Sequence, residues 1–345
     1  GRATHWNWNN ASGKVVENGK GYPMDLNTMP GWAGSNWYFL RYMMEGNDPK
    51  RSDVFVSEEA VKYWRQIDLY MGGAEHATGH LLYFRFITKV LHDLGYIPFN
   101  EPAKKLINQG MIQAEDGHKM SKRYGNVINP DDVIAEFGAD ALRLHEMFLG
   151  PIEMHKPWNT KGIEGVSKFI RKLWRLYHDK NGSFSVKEEK ATKAELKALH
   201  KCIEKVTSDM ERSSFNTSVS AFMIAVNELS ELNCKKREIL EPLAILVSCH
   251  APHVAEELWS LLGNKESISS AEWPNFNAEY LVDDQITYPV SVNGKTRISI
   301  ELNAELSKAE IEQAALAHEE AQKWLEGKAP KRVIVVPKRI VNIVV

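Results

Sequence analysis

Through the middle of the chain, apolar side chains return every three or four positions. Val166, Phe169, Ile170, Leu173, Trp174 and Tyr177 form one set; Val219, Phe222, Met223, Val226 and Leu229 a second; Leu240, Leu243, Leu246 and Val247 a third; Val254, Leu258, Leu261 and Leu262 a fourth. This spacing puts each set on one face of a helix, so four or five antiparallel helices burying those faces together are expected, with the stripes as core rather than ligand surface. A polar stretch, residues 178–192, separates the first helix from the next. Ahead of the block, residues 1–150 alternate strand-like and helix-like segments, the order of an α/β fold. Behind it, from about Asp283, the period shortens to two. Ile286 to Val292 and Lys295 to Leu302 flank Asn293-Gly294, the preferred dipeptide of a tight hairpin. One amphipathic helix is expected over Ser307 to Lys328, and strands over Arg332 to Pro337 and Arg339 to Val345, completing a small ββαββ unit. The expected fold is multidomain, α/β plus all-α, divided into residues 1–150, 151–275 and 283–345.

Composition adds limits. With 345 residues, 43% hydrophobic and 26% charged, the chain has the size and make-up of two or three globular domains. Its longest apolar runs, such as Val333 to Val336 and Pro242 to Cys249, are too short for a bilayer, so no membrane partner is expected. Cys202, Cys234 and Cys249 show no paired spacing, which argues against a zinc site or a disulfide scaffold and fits a reducing, cytoplasmic compartment. A net charge of −2 provides no global field for nucleic acid, leaving that task to local patches. Candidates are Lys119, Lys122 and Arg123; Lys168, Arg171, Lys172 and Arg175 on one helix; and Lys328, Lys331, Arg332, Lys338 and Arg339 near the end. Most charge runs are only solvated faces.

The chemistry concentrates in two places. Lys119-Met120-Ser121-Lys122 lies in a glycine-flanked polar stretch from Glu115 to Gly125. Two lysines three apart can close on one phosphate chain, and phosphoryl or nucleotidyl transfer relies on such positioned charge. Asn129, Pro130, Asp131 and Asp132 then signal a helix start, and Gly138 its stop. Upstream, Ile67 to Phe86 reads as a short strand, the pair Gly72-Gly73, and a helix running to Gly95. Glycines at a strand's carboxyl end admit a nucleotide to the backbone, and Glu75 can accept hydrogen bonds from ribose hydroxyls. The alternative is a glycine turn that serves only tight packing. His76 and His80, four apart, share a helical face, but no third ligand follows and the H-E-x-x-H pattern is not met, so no metal site is expected.

Together, G-G-x-E-H-x-x-x-H, K-M-S-K-R and N-V-I-N-P-D-D-V-I-A-E-F-G-A-D-A-L-R-L resemble the second half of a class I (Rossmann-like) aminoacyl-tRNA synthetase active site, specifically that of the leucine enzymes. The resemblance extends to residues 27–42, with Ser35 and Tyr38; to Phe215-Asn-Thr and Ala251 to Trp259 of a helical, anticodon-binding-type domain; and to Val292 to Arg297 and Val333 to Val345 of a carboxyl-terminal module. It implies activation of leucine by ATP to leucyl-adenylate, then transfer to tRNA(Leu). Lys122, assisted by Lys119, would stabilise the departing pyrophosphate. Gly72, Gly73, Glu75, His80, Met120, Ser121 and Lys122 would contact ATP; Ser35, Tyr38, Tyr70, His76 and His80 would surround the leucine. Lys295, Arg297, Lys331, Arg332, Lys338 and Arg339 of the tail are expected to contact tRNA. ATP would arrive with Mg2+ held by phosphate oxygens and water, no organic cofactor is implied, and a monomer is expected. The family's loop usually ends in Ser where Arg123 stands here. No H-I-G-H-like segment occurs, nor the editing domain, nor the small domain many bacterial leucine enzymes carry before the lysine loop. The chain therefore reads as a carboxyl-terminal fragment, inactive alone. Alternatives are an isoleucine, valine or methionine enzyme, or an inert tRNA-docking module.

Overall fold

A computed structural model describes residues 3–26, 33–282, 285–325 and 327–345. The expected family segment at 27–32 and the expected domain start at Asp283 lie outside these residues. Contacts divide the chain into two compact units: Gly1–Asn129 with Leu149–Asn159, and Pro130–Phe148 with Thr160–Val345.

The first unit opens with an antiparallel sheet of β1 (His5–Asn9), β2 (Lys14–Glu17) and β3 (Tyr22–Pro23), in the order β2-β1-β3. Helix α1 (Tyr38–Tyr42) and helix α2 (Glu58–Trp64) follow, α2 being capped by Ser57, whose hydroxyl accepts from the Ala60 N–H. Strand β4 (Ile67–Gly73) leads through two irregular turns into α3 (Leu82–Asp93), which ends at Gly95 with φ +78. The chain returns as β5 (Ala103–Gln109), parallel to β4 with Tyr70 opposite Leu106 and Gly73 opposite Gln109. Phe39, Leu40, Val61, Phe84 and Ile97 form the core beneath this β-α-β unit. The strand pair itself leaves Leu69, Met71 and Leu106 more than a third exposed. Short strands β6 (Ile112–Gln113) and β7 (Lys156–Pro157) also pair in parallel.

In the second unit, α4 begins at Pro130 as the sequence predicts and runs to Phe137, stopped by Gly138 at φ +90; α5 is Ala139–Phe148. The four apolar stripes become α6 (Thr160–Tyr177), α8 (Phe215–Glu231), α9 (Arg237–Ser248) and α10 (Pro252–Leu261), and α7 (Lys193–Glu211), which matches none of the four, shares their core. A capping box at Thr192 and Glu195 starts α7 after the polar stretch. Asp140, itself buried, accepts from the His253 and Val254 N–H groups at 3.2 and 2.7 Å, satisfying free donors at the start of α10.

The tail has its own core. Strands β8 (Gln285–Val292) and β9 (Lys295–Asn303) make the expected hairpin, with Asn293 and Gly294 at φ 48 and 80 as a two-residue primed turn requires. The sheet order is β10-β11-β8-β9, where β10 is Arg332–Val336 and β11 is Ile340–Val344. The single helix expected over Ser307 to Lys328 is instead two, α11 (Lys308–Ala317) and α12 (Glu319–Leu325). His318 between them is extended, at ψ 125. Ile311 and Ala315 are four apart but Ala321 follows only six later, off the phase of a continuous helix. The break lets Ala321 and Leu325 reach the same core.

Candidate active site

The carboxyl end of β4 opens into a cavity of about 370 Å³, lined by Ser35, Tyr38, Tyr70, Met71, Gly72, Gly73, His76, His80, Leu81 and Gln109. Residues far apart in sequence meet here because β4 ends in glycines, the following turn brings His76 and His80 onto its inner side, and the segment from Ala33 packs across it. Three side chains form a hydrogen-bonded row: Tyr38 Oη to Tyr70 Oη at 3.1 Å, and Tyr70 Oη to His80 Nε2 at 2.7 Å. Buried Phe84 supports the row, its ring stacked on Tyr70 and His80 with centroids 5.0 and 5.1 Å away. Burial pushes the Tyr70 phenol well above its ordinary value, with the Tyr38 hydrogen bond adding to it. Burial, then the neighbouring charge of His76, lowers His80. Both groups are therefore held neutral near pH 7. His80 Nδ1 is buried and has no hydrogen-bond partner among the described residues.

The glycine pair divides the work. At Gly72 an added Cβ would meet nothing within 4 Å, so the missing side chain leaves the floor open to a ligand. At Gly73 it would collide with the carboxylate of Glu75, which folds back over the backbone at the cavity's edge. Gly73 is buried and Glu75 exposed, with His76 Nε2 4.0 Å from Glu75 Oε1. Such a site suits a small ligand with apolar and polar parts lying along a bare backbone. Among the described residues, no group of three or more His, Cys, Asp or Glu is arranged to hold a metal.

The lysine loop leaves β6. Gln113 bridges to Lys119, the Ala114 N–H donates to the His118 carbonyl at 2.8 Å, and Gly117, at φ +79, turns the tip. Lys119 and Lys122 are exposed, Met120 and Ser121 half-buried. None of these four lines the cavity, so the structure does not join them to Gly72, Gly73 and His80. The loop's base is fastened by segment 149–159. Gly110 donates to the Ile152 carbonyl at 2.7 Å, Met111 to His155 Nδ1 at 2.9 Å, and Trp158 to the Gln113 carbonyl at 2.9 Å. A Cβ on Gly110 would run into the Met154 carbonyl and lie 2.7 Å from the His155 nitrogen. This fastening was not read from the sequence; the only signal was a glycine just before the polar stretch.

The tail cations do not form one cluster. Lys295, Lys331 and Arg332 lie at the end where the Asn293 turn meets the end of β11, since Asn293 donates to the Ile343 carbonyl and Lys331 to that of Val344. Lys338 and Arg339 occupy the opposite, β10–β11 turn end, with the Lys338 N–H on Tyr288 Oη at 2.9 Å. Arg297 lies over the Trp324 ring, 4.2 Å from its centroid.

Two family models match separate stretches of the chain, and the second match runs on into the tail hairpin and α11. The model for class I tRNA synthetases (I, L, M and V) matches residues 56–153, and that for the anticodon-binding domain of tRNA ligases matches residues 193–313. The chain is thus built from the catalytic and anticodon-binding parts of a class I tRNA synthetase. Over its whole length it is 46% identical to the leucine–tRNA ligase of Christiangramia forsetii and 45% to that of Bacteroides thetaiotaomicron, and it belongs to their family. It covers 45% and 44% of those two proteins, so it spans less than half their length, and the alignments run over more positions than the chain possesses. A solved structure of the Agrobacterium radiobacter K84 agnB2 LeuRS, in ternary complex with tRNA and LeuAMS, matches 97% of this chain and 44% of that one, with a TM-score of 0.70 and 32% identity.

Proposed function

We propose that this chain is the carboxyl-terminal part of a leucine–tRNA ligase, which activates leucine with ATP and transfers it to tRNA(Leu). The observation that carries the reading is the cavity at the end of β4, where a bare glycine floor meets the Tyr38–Tyr70–His80 row, in a chain related throughout to leucine–tRNA ligases. Ser35, Tyr38, Tyr70, His76 and His80 enclose the leucine. The neutral row offers polar atoms without a fixed charge, and the apolar part of the wall takes the side chain. ATP, with Mg2+ on its phosphates, lies along Gly72 and Gly73, its ribose held by Glu75 and its adenylate end near His80. Lys122, with Lys119, closes onto the phosphates and neutralises charge on the leaving pyrophosphate, while Met120 and Ser121 shape the loop. Charge that engages mainly in the transition state accelerates the step instead of merely tightening binding.

The functional division retained is residues 1–150 for chemistry, 151–275 for the anticodon side and 283–345 for tRNA contact. In the tail, Lys295, Lys331 and Arg332 make one tRNA-facing end, Lys338 and Arg339 another, and Arg297, two residues along β9 from Lys295, goes with the first. A monomer in the cytoplasm is proposed, the latter supported by the free thiols of Cys202, Cys234 and Cys249. The test is Lys122→Ala in the full-length protein. Leucine-dependent pyrophosphate exchange should fall about a hundredfold, the loss of roughly 3 kcal/mol of transition-state stabilisation, with leucine affinity nearly unchanged. An unchanged exchange rate refutes the assignment.

A further inference from the structure

Residues 119–126 are closed by a side chain outside the lysine motif. Asn126 reaches back across the loop with both ends of its amide. Its Oδ1 accepts from the Ser121 N–H at 2.8 Å, and its Nδ2 donates to the Lys119 carbonyl at 3.4 Å. Within that ring, the Tyr124 N–H donates to the Ser121 carbonyl at 3.0 Å, the Gly125 N–H to the Lys122 carbonyl at 3.4 Å, and the Arg123 N–H to Ser121 Oγ at 3.2 Å. Gly125, at φ +63, turns the chain so that Asn126 faces the residues it ties. Asn126 is half-buried, whereas Lys119, Lys122, Arg123 and Tyr124 are exposed. The backbone is thus tied while both lysine side chains are left free to meet a ligand.

We propose that Asn126 is a positioning residue for the two lysines: by tying the Lys119 carbonyl to the Ser121 N–H it fixes where both side chains leave the backbone. This rests on the reading of the loop as the phosphate-binding element. An untied loop spends only a fraction of its time with the ammonium groups correctly placed, and the rate falls by that fraction. A residue that merely supported the fold would lower thermal stability and leucine affinity as well.

The experiment compares Asn126→Ala, Asn126→Asp and Lys122→Ala in the full-length protein. Asn126→Ala should slow pyrophosphate exchange about tenfold, the loss of one hydrogen bond's worth of order, with the Michaelis constant for leucine and the unfolding temperature unchanged. Trypsin should cut after Lys119 and Lys122 severalfold faster than in the unaltered protein. Asn126→Asp keeps the reach and the acceptor for the Ser121 N–H, and should recover most of the resistance to trypsin. If Lys122→Ala slows exchange but Asn126→Ala changes neither exchange nor cleavage, the clamp is wrong and the loop assignment survives. If Lys122→Ala has no effect on exchange, the loop assignment falls and the clamp with it. A shared loss of stability and leucine affinity in Asn126→Ala also overturns the proposal.

Discussion

Gly73→Ala separates the fold from the ligand in a way few changes at this site can. Gly73 sits at φ −70 and ψ 143, a conformation open to any residue, so an alanine meets no backbone penalty. Its Cβ would occupy the space now filled by the Glu75 carboxylate, and the neighbour that must yield is the end of a flexible side chain, 48% exposed. Swinging that side chain into water should cost little, and the stability change is expected to stay within about 0.5 kcal/mol. The consequence for binding is larger. If the carboxylate holds the ribose from its present position, displacing it removes a charge-assisted hydrogen bond worth about 1.5–3 kcal/mol, or roughly 10- to 150-fold in the Michaelis constant for ATP. Pyrophosphate exchange in the full-length protein, at varied ATP and saturating leucine, measures this directly, and a melting curve checks the fold. Glu75→Gln should shift ATP in the same direction, and the double variant should be no worse than the more impaired single, because both remove the same contact. A normal Michaelis constant for ATP in Gly73→Ala would refute the placement of the ribose at Glu75.

Deleting the tail from residue 283 should abolish charging of tRNA(Leu) while sparing pyrophosphate exchange, and the remaining tRNA binding should weaken less steeply with salt, read from the slope of log affinity against log salt. An unchanged slope would reduce the tail cations to a solvated surface. His250 supplies a test of pH dependence: burial, reinforced by the Arg143 charge and opposed by the Phe215 backbone, pushes its pKa down to about 4. The unfolded imidazole, near 6.5, binds its proton first as pH falls, so this contribution is whole above about 6.5 and is lost toward pH 4, at most about 3 kcal/mol. In His250→Phe, denaturant unfolding at pH 7 and pH 4.5 should show a smaller drop than in the unaltered protein; an equal drop would mean that His250 does not titrate there.

Periodicity carried the sequence reading where a single face decides the structure. The stripes of α6, α8, α9 and α10 and the Asn293-Gly294 hairpin follow from spacing and turn chemistry alone. The cavity did not. Ser35, Tyr38, Tyr70 and His80 share no period, and only family resemblance suggested that they belong together. Local pattern also missed the break at His318, because Ile311 and Ala315, and again Ala321 and Leu325, keep the four-residue spacing of a helix, and only the six-residue step between the two pairs is out of phase. Grouping the tail cations by sequence position failed for a topological reason: the β10–β11 hairpin carries Lys338 and Arg339 to the end of the sheet opposite Lys331 and Arg332. Asn126 was hidden by its ordinariness, since one asparagine after a glycine signals a turn and does not say which atoms it will tie.

The β4–β5 pair has a practical side. Among the described residues the two parallel strands pair with no third strand, so each has an outer edge without a ladder partner, and Leu69, Met71 and Leu106 add exposed apolar surface beside it. Parallel strands are ordinarily covered on both faces. Produced by itself, this polypeptide is therefore expected to be colloidally fragile, with self-association starting at that ribbon and rising with concentration. Gentle cosolvents, low protein concentration, or a charged substitution such as Leu69→Lys would be the means of keeping it in solution for crystallisation or spectroscopy.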